Sequence, residues 1–335
     1  MKVYLYSGMQ KMIEKSGVGR AIYHQQSAAK KNDIEIANGL DDTDIVHINT
    51  VFPKSLWIAK KARKRGIPIV YHAHSTKEDF RNSYLGSNLF APLFGKWIQH
   101  CYNTGTMIVT PTEYSKRLLL SYGIRKRIEV VSNGVDLELF DRKKIDRMSF
   151  RKKYGYSAAQ KIIMSVGLTI ERKGISDFVE LARRMPEYQF IWFGETDLNM
   201  VPKKTREAVR TKLPNLRFVG YIKPNELREA YGSCDLFLFP SKEETEGIVV
   251  LEALAMQIPI LLRKIPVYDD WLVENKDVYK ARDLREFEIK TKKILNNELL
   301  DLTQAGHRVV EERSLEKVGR TLGQIYGDCL KMVEK

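Results

Sequence analysis

Two carboxylates eight positions apart, Glu244 and Glu252, bracket a polar loop and the start of an apolar run. The loop, residues 241–246, follows Leu236, Phe237, Leu238 and Phe239, which read as a buried strand. Gly247 comes next, and residues 248–256 read as an apolar helix. A helix starting there leaves the Ile248 and Val249 amides unpaired and carries partial positive charge, which suits a phosphate. A phosphate site repels carboxylates, so Glu244 and Glu252 need another role. A carboxylate only accepts hydrogen bonds, and paired sugar hydroxyls are good donors. One Glu could hold a ribose and the other a second sugar, with a diphosphate on the helix terminus between them. Alternatively, the acidic residues simply complement the helix dipole. Spacing alone leaves both readings open.

Cations that could face the same diphosphate lie earlier. Residues 162–166 read as a strand, followed by Gly167, Leu168 and then Arg172, Lys173 and Gly174. Lys offers a point charge and Arg a planar fork, both good diphosphate partners after a strand. A solvated charge pair is the competing reading. Near the start, residues 2–6 read as a strand and residues 21–30 as a helix, with Gly17 and Gly19 in the loop between them. That order opens a dinucleotide-type unit, although the third Gly of the usual fingerprint is missing. A turn that needs positive φ is the alternative. His72 and His74 lie two apart at the end of a further strand and share a face. His47 ends another and is either functional or simply packed.

Pro240-Ser241, Glu244, seven intervening residues, Glu252 and Ala253-Leu254-Ala255 resemble the nucleotide-sugar signature of retaining glycosyltransferases of family 4. The Glu244-Thr245-Glu246-Gly247 form, in place of the more usual Glu-Gly-Phe-Gly, is similar to bacterial diacylglycerol glycosyltransferases that add a second hexose to monoglucosyl-diacylglycerol. Pro111-Thr112 with Ser115-Lys116, and Ser132-Asn133-Gly134-Val135-Asp136, extend the resemblance, which is strongest over residues 105–262. It implies the GT-B fold and places the donor nucleotide mainly on the C-terminal half. It also implies Glu252 on the ribose, Glu244 and His74 beside the transferred sugar, and the Gly17 and Gly19 loop near the diphosphate. Lys173 and Gly174 match the family; Leu168 stands where it usually has Arg, with Arg172 as the substitute. GT-B enzymes generally need no metal, so the resemblance implies none here.

The elements that position these residues follow from alternating strand and helix patterns over 335 residues, a length that accommodates two α/β domains. The expected division is an N-terminal domain at 1–150, on the acceptor and membrane side, and a C-terminal donor domain at 151–335. The charged connector at 141–155 lies at the boundary, and the last helix is expected to cross back. The net charge is +14; residues 1–150 hold 24 Lys and Arg against 14 Asp and Glu, a net +10, and the rest holds +4. No nucleic-acid motif accompanies that excess. An anionic membrane surface or an ordinary solvated face accounts for it.

Residues 54–65 read as a helix mixing Trp57 with Lys60, Lys61, Lys64 and Arg65, which fits either a bilayer surface or an ordinary packed crossover helix. Leu89, Phe90, Leu93, Phe94, Trp97, Ile98 and Cys101 form a wide helical stripe, either core or an acceptor and membrane face. The three cysteines are far apart without metal spacing, and no run is long enough to span a membrane. A cytoplasmic protein peripherally bound to the inner face of the cell membrane is the expectation. The reading is a two-domain GT-B enzyme with a central cleft, moving glucose or galactose from UDP-glucose or UDP-galactose to a glycolipid acceptor. A polysaccharide or teichoic-acid acceptor, a UDP-sugar epimerase, and a non-catalytic nucleotide-sugar binder remain alternatives.

Overall fold

A computed structural model describes residues 1–9, 13–14 and 16–333. Twelve strands among them form two parallel sheets of six. Strands β1 (Lys2–Tyr6), β2 (Glu35–Ile36), β3 (Ile45–Ile48), β4 (Ile69–His72), β5 (Met107–Thr110) and β6 (Ile128–Val130) make the first, in the order β2-β1-β3-β4-β5-β6. Strands β7 (Ile162–Val166), β8 (Gln189–Phe193), β9 (Leu216–Gly220), β10 (Leu236–Phe239), β11 (Ile260–Arg263) and β12 (Tyr279–Ala281) make the second, in the order β12-β11-β10-β7-β8-β9. Most inner strands are buried along their whole length, as parallel strands covered by helices on both faces must be. Each sheet reverses its strand order once, between β1 and β3 and between β7 and β10. Such switch points open a crevice beyond the carboxyl ends of the strands. The candidate site residues lie on the segments that follow β1, β4, β7 and β10.

The final helix, Leu315–Lys331, packs Val318, Leu322, Ile325, Tyr326 and Cys329 against Val3, Leu5 and Val70 of the first sheet. The chain thus returns to its first domain, alongside Val135, whose amide and carbonyl pair with Arg313 and Leu315. The segment read as a charged connector is more ordered than that. Arg147–Tyr154 is a helix capped by Asp146. Arg151 on it is fully buried and donates to Asp235 at 2.7 Å and to the Ser157 and Gln160 carbonyls at 2.8 Å each. A buried guanidinium with its fork satisfied is a structural anchor.

The first helix, Gly17–Lys30, begins four residues before the expected start because Ser16 caps it through the Gly19 amide. Neither Gly17 nor Gly19 has positive φ, so the turn does not require them. Gly19 instead permits close packing: a Cβ there would lie 2.3 Å from the Ile13 carbonyl oxygen, whereas one on Gly17 would meet open space. The apolar stripe of the helix Ser87–Tyr102 is neither wholly core nor wholly surface. Ile98 and Cys101 are buried and Phe94 and Trp97 half-buried, but Leu89 is 77% exposed and Leu93 65%. In the helix Pro53–Lys64, Leu56, Ala59 and Ala62 face the core. Trp57 faces out, 55% exposed, with the Lys61 ammonium 5.1 Å from its ring.

Candidate active site

The loop after β10 carries Glu244, and the loop after β7 carries Arg172 and Lys173. Backbone contacts join the two: Lys242 N donates to the Arg172 carbonyl at 2.7 Å. Gly174, at φ 77°, abuts Pro240 so tightly that a Cβ would lie 2.2 Å from its carbonyl oxygen. That approach brings the Lys173 ammonium to 2.5 Å from Glu244 Oε1, which also accepts from the Ser241 hydroxyl at 2.6 Å. Burial acts to raise the Glu244 carboxyl, but Lys173 and Arg172 overcome it, so Glu244 lies below the usual carboxylate range and is an anion. Arg172 is directed elsewhere. It donates to the Ser83 hydroxyl at 3.0 Å and the Glu243 carbonyl at 2.8 Å, tying the two domains together.

Gly247, at φ 90°, opens the helix Ile248–Ala255 with no side-chain cap. The Ile248 and Val249 amides at that terminus have no carbonyl one turn back to bond. Glu252 lies farther along, fully buried. It accepts from Arg20 Nε at 3.0 Å and from the Tyr231 hydroxyl at 3.1 Å. Burial raises its carboxyl, opposed by Arg20 and Tyr231. Arg20 follows Gly19, so the first turn of the Gly17–Lys30 helix of the first domain, rather than a loop, meets Glu252 of the second.

His74 follows β4, stacked on His72 with ring centroids 3.8 Å apart. Its Nε2 lies 2.9 Å from Asn49 Oδ1, and a carbonyl oxygen can only accept, so Nε2 carries the proton. Behind it, His72 Nδ1 lies 2.9 Å from Gln25 Nε2 and 3.1 Å from His47 Nε2, and the Tyr326 hydroxyl is 2.6 Å from His47 Nδ1. His47 is thus a packed histidine within a buried network. Burial pushes His74 and His47 down to about 3, so both are neutral.

The structure therefore gathers Lys173, Glu244 and the Gly247 helix terminus on one side of the cleft and ties Glu252 to the helix turn of Gly17, Gly19 and Arg20 from the other. His74 lies at the end of β4 in the first domain. Trp57, Lys60, Lys61, Lys64, Arg65, Phe94 and Trp97 stand apart, on two outer helices of the first domain. Sequence reasoning missed the groups that hold residues 243–246 from across the cleft. The Tyr114 hydroxyl donates to Glu243 at 2.9 Å, and those of Thr112 and Ser115 donate to the Thr245 carbonyl at 2.8 and 3.0 Å. Asn133 donates its amide and side chain to Glu246 at 2.9 and 2.7 Å. The two family-like segments around Thr112 and Asn133 were visible, but nothing local shows that they grip a loop more than a hundred residues later. Among the described residues no three His, Cys, Asp or Glu form a metal-binding group.

Two Rossmann-like domains closing on such a cleft are the GT-B architecture of glycosyltransferases, and the chain belongs to glycosyltransferase family 4. The family model "Glycosyltransferase Family 4" matches residues 19–139, and "Glycosyl transferases group 1" matches residues 146–309. The chain is similar to the processive diacylglycerol alpha-glucosyltransferase of Acholeplasma laidlawii, at 40% identity over 99% of each chain. It is also similar to the alpha-galactosylglucosyldiacylglycerol synthase of Streptococcus pneumoniae, at 29% identity over 81% of this chain and 73% of that one. Anabaena HepE, crystallised with UDP and glucose, shares the fold with a TM-score of 0.76 at 14% identity, over 97% of this chain and 99% of that one.

Proposed function

We propose that this glycosyltransferase moves glucose or galactose from a UDP-sugar to a membrane glycolipid, monoglucosyl-diacylglycerol being the acceptor to test first, with retention at the anomeric carbon. One observation carries the reading: Lys173, from the loop after β7, pairs with the buried Glu244 in the loop that runs into an uncapped helix terminus, with Glu252 farther along that helix. The names of the similar diacylglycerol glycosyltransferases support the acceptor class.

The diphosphate lies on the Ile248 and Val249 amides, and Glu252 holds the ribose hydroxyls. As UDP leaves, negative charge grows on the β-phosphate, where Lys173 and those amides stabilise it. Arg172, engaged by Ser83 and Glu243, holds the loop that carries Lys173. Glu244 Oε1 is occupied by Lys173 and Ser241, which leaves Oε2 for sugar hydroxyls. His74, neutral and fixed by Asn49, holds another part of the sugar. The acceptor hydroxyl attacks on the face from which phosphate departs. Its oxygen bonds to the anomeric carbon, the bond from that carbon to the β-phosphate oxygen breaks, and the departing phosphate takes the proton. The reading assigns no step to a metal or cofactor. It puts the enzyme on the cytoplasmic face of the membrane, with the basic first domain toward the lipid.

The test is UDP release from UDP-glucose and from UDP-galactose, with anionic vesicles that contain or lack monoglucosyl-diacylglycerol. Acceptor-dependent release with one donor establishes the transfer and names the sugar. Absence of release with either donor, in a protein that binds UDP, rejects the glycolipid acceptor.

A further inference from the structure

A second cavity, of about 210 Å³, lies between the two domains. Asn82, Tyr84 and Asn88 line it from the first domain, and Glu171, Lys204 and Thr205 from the second. The first-domain segment that walls it is tied to the donor loop. Arg172 N donates to the Asn82 carbonyl at 2.9 Å, and the Arg172 guanidinium reaches Ser83 at 3.0 Å. The same segment is tied to the second domain again where Leu85 N donates to the Met200 carbonyl at 2.8 Å. The cavity thus adjoins the loop that carries Lys173.

Its lining mixes donors and acceptors. Lys204 is a donor, with its ammonium 3.9 Å from the Glu171 carboxylate, an acceptor. Asn82 and Asn88 spend part of their capacity on each other, at 2.9 Å, and keep the rest. The Thr205 hydroxyl is buried with no hydrogen-bond partner in the protein. A carboxylate in the wall disfavours a phosphate, whereas a ring of mixed donors and acceptors with a tyrosine suits a neutral polyol. Exposed apolar side chains neighbour the lining segment in sequence. Leu85, which lines it, is exposed, and so are Leu89, Phe90, Leu93 and Met200.

We propose that this cavity is an acceptor subsite: it holds the sugar headgroup of a glycolipid whose glycerol and acyl portion lies along Leu85, Leu89, Phe90 and Leu93. The assignment rests on the transfer reading above and adds where the acceptor binds. It brings both domains to one ligand, because neither half of the wall is complete without the other.

The first test is calorimetric binding of octyl glucoside, below its micelle concentration, to the full chain in the presence of UDP. Wild type binds it, and the Tyr84→Phe/Lys204→Ala variant binds about tenfold more weakly, the size of one or two lost hydrogen bonds. The melting temperature of the variant controls for folding. In the transfer assay each single variant raises the acceptor KM about three- to tenfold and leaves the KM for the UDP-sugar and the vesicle affinity unchanged. Equal binding of octyl glucoside by variant and wild type, no binding by wild type, or its displacement by inorganic phosphate would each overturn the subsite. A wild-type chain that binds octyl glucoside through these residues, but transfers nothing to any glycolipid, keeps the subsite as a glycoside site and rejects the transfer reading instead.

Discussion

In the proposed transfer, Lys173 and Glu244 are one pair of side chains that serves both fold and chemistry. Glu244 is buried and the Lys173 side chain only 15% exposed, and taking two charges out of water is repaid only by close contact and by further hydrogen bonds such as that from Ser241. Removing one partner strands the other. Lys173→Ala therefore has two expected effects: turnover lower on the order of 10²-fold, from the lost charge on the leaving phosphate, and a stability loss of about 3–5 kcal/mol from an unpaired Glu244. The double variant Lys173→Met/Glu244→Gln separates them. It regains melting temperature because no lone charge remains, yet stays inactive. Unchanged turnover in Lys173→Ala would remove Lys173 from the site. Glu252 permits a sharper test of role, because Arg20 and Tyr231 already hold it in place. Glu252→Gln keeps the shape and most of the packing, so a rise in the UDP Kd of about tenfold reports the ribose contact rather than misfolding. A UDP Kd equal to wild type ends the ribose role.

The loop 243–246 is the element on which the two domains meet, and it marks the limit of what the sequence revealed. Glu244, Gly247 and the helix after them were legible because strand, loop and helix follow each other in the chain with the right periodicity. Lys173 was legible from the Lys-Gly that follows β7. The buried inner strands were legible as short apolar runs, whereas β2 and β12, of two and three residues, are too short to leave a period. The Tyr114, Thr112 and Asn133 contacts were not legible, since they join positions separated by 113 to 133 residues. Nor was the split of the 89–101 stripe into buried, half-buried and exposed residues, because periodicity identifies a face without saying what covers it. The Tyr114 contact has a measurable consequence. Burial raises the Glu243 carboxyl from 4.5 to about 7, only partly opposed by the Tyr114 hydrogen bond. The folded protein therefore holds a proton there that the unfolded chain releases near pH 4.5. Its stabilising effect is full below that pH and is lost as the pH rises to about 7. Wild type should accordingly lose melting temperature relative to Glu243→Gln between pH 5 and pH 8. A difference between the two that stays constant across that range would contradict the burial of this carboxyl against Tyr114.

Across the whole molecule, most of the net charge and the exposed residues Leu89, Phe90 and Leu93 fall on the same half. Residues 1–150 carry +10 of the net +14, and Trp57, Leu89, Phe90 and Leu93 stand out of that same half. No helix among the described residues is long and apolar enough to cross a membrane. The proposed attachment to a membrane through this surface would combine two weak terms: shallow insertion of leucine and aromatic side chains, and attraction of about 1 kcal/mol for each Lys or Arg brought near an anionic bilayer. The two respond differently to conditions. Salt screens the second within about 8–10 Å and leaves the first, so vesicle affinity should fall steeply with ionic strength but not to zero. Leu89→Glu/Phe90→Glu removes apolar insertion and adds like charge to the lipid, so it should abolish the salt-resistant remainder. Lys60→Glu/Lys64→Glu, on an exposed helix face away from the cleft, should remove mainly the salt-sensitive part while leaving UDP affinity intact. Cosedimentation with vesicles of increasing phosphatidylglycerol content, at low and high salt, measures both terms at once. Equal binding to neutral and anionic vesicles would remove the electrostatic term. Unaltered binding of the Leu89/Phe90 variant would place the lipid contact on another face and leave the +10 half as an ordinary solvated surface.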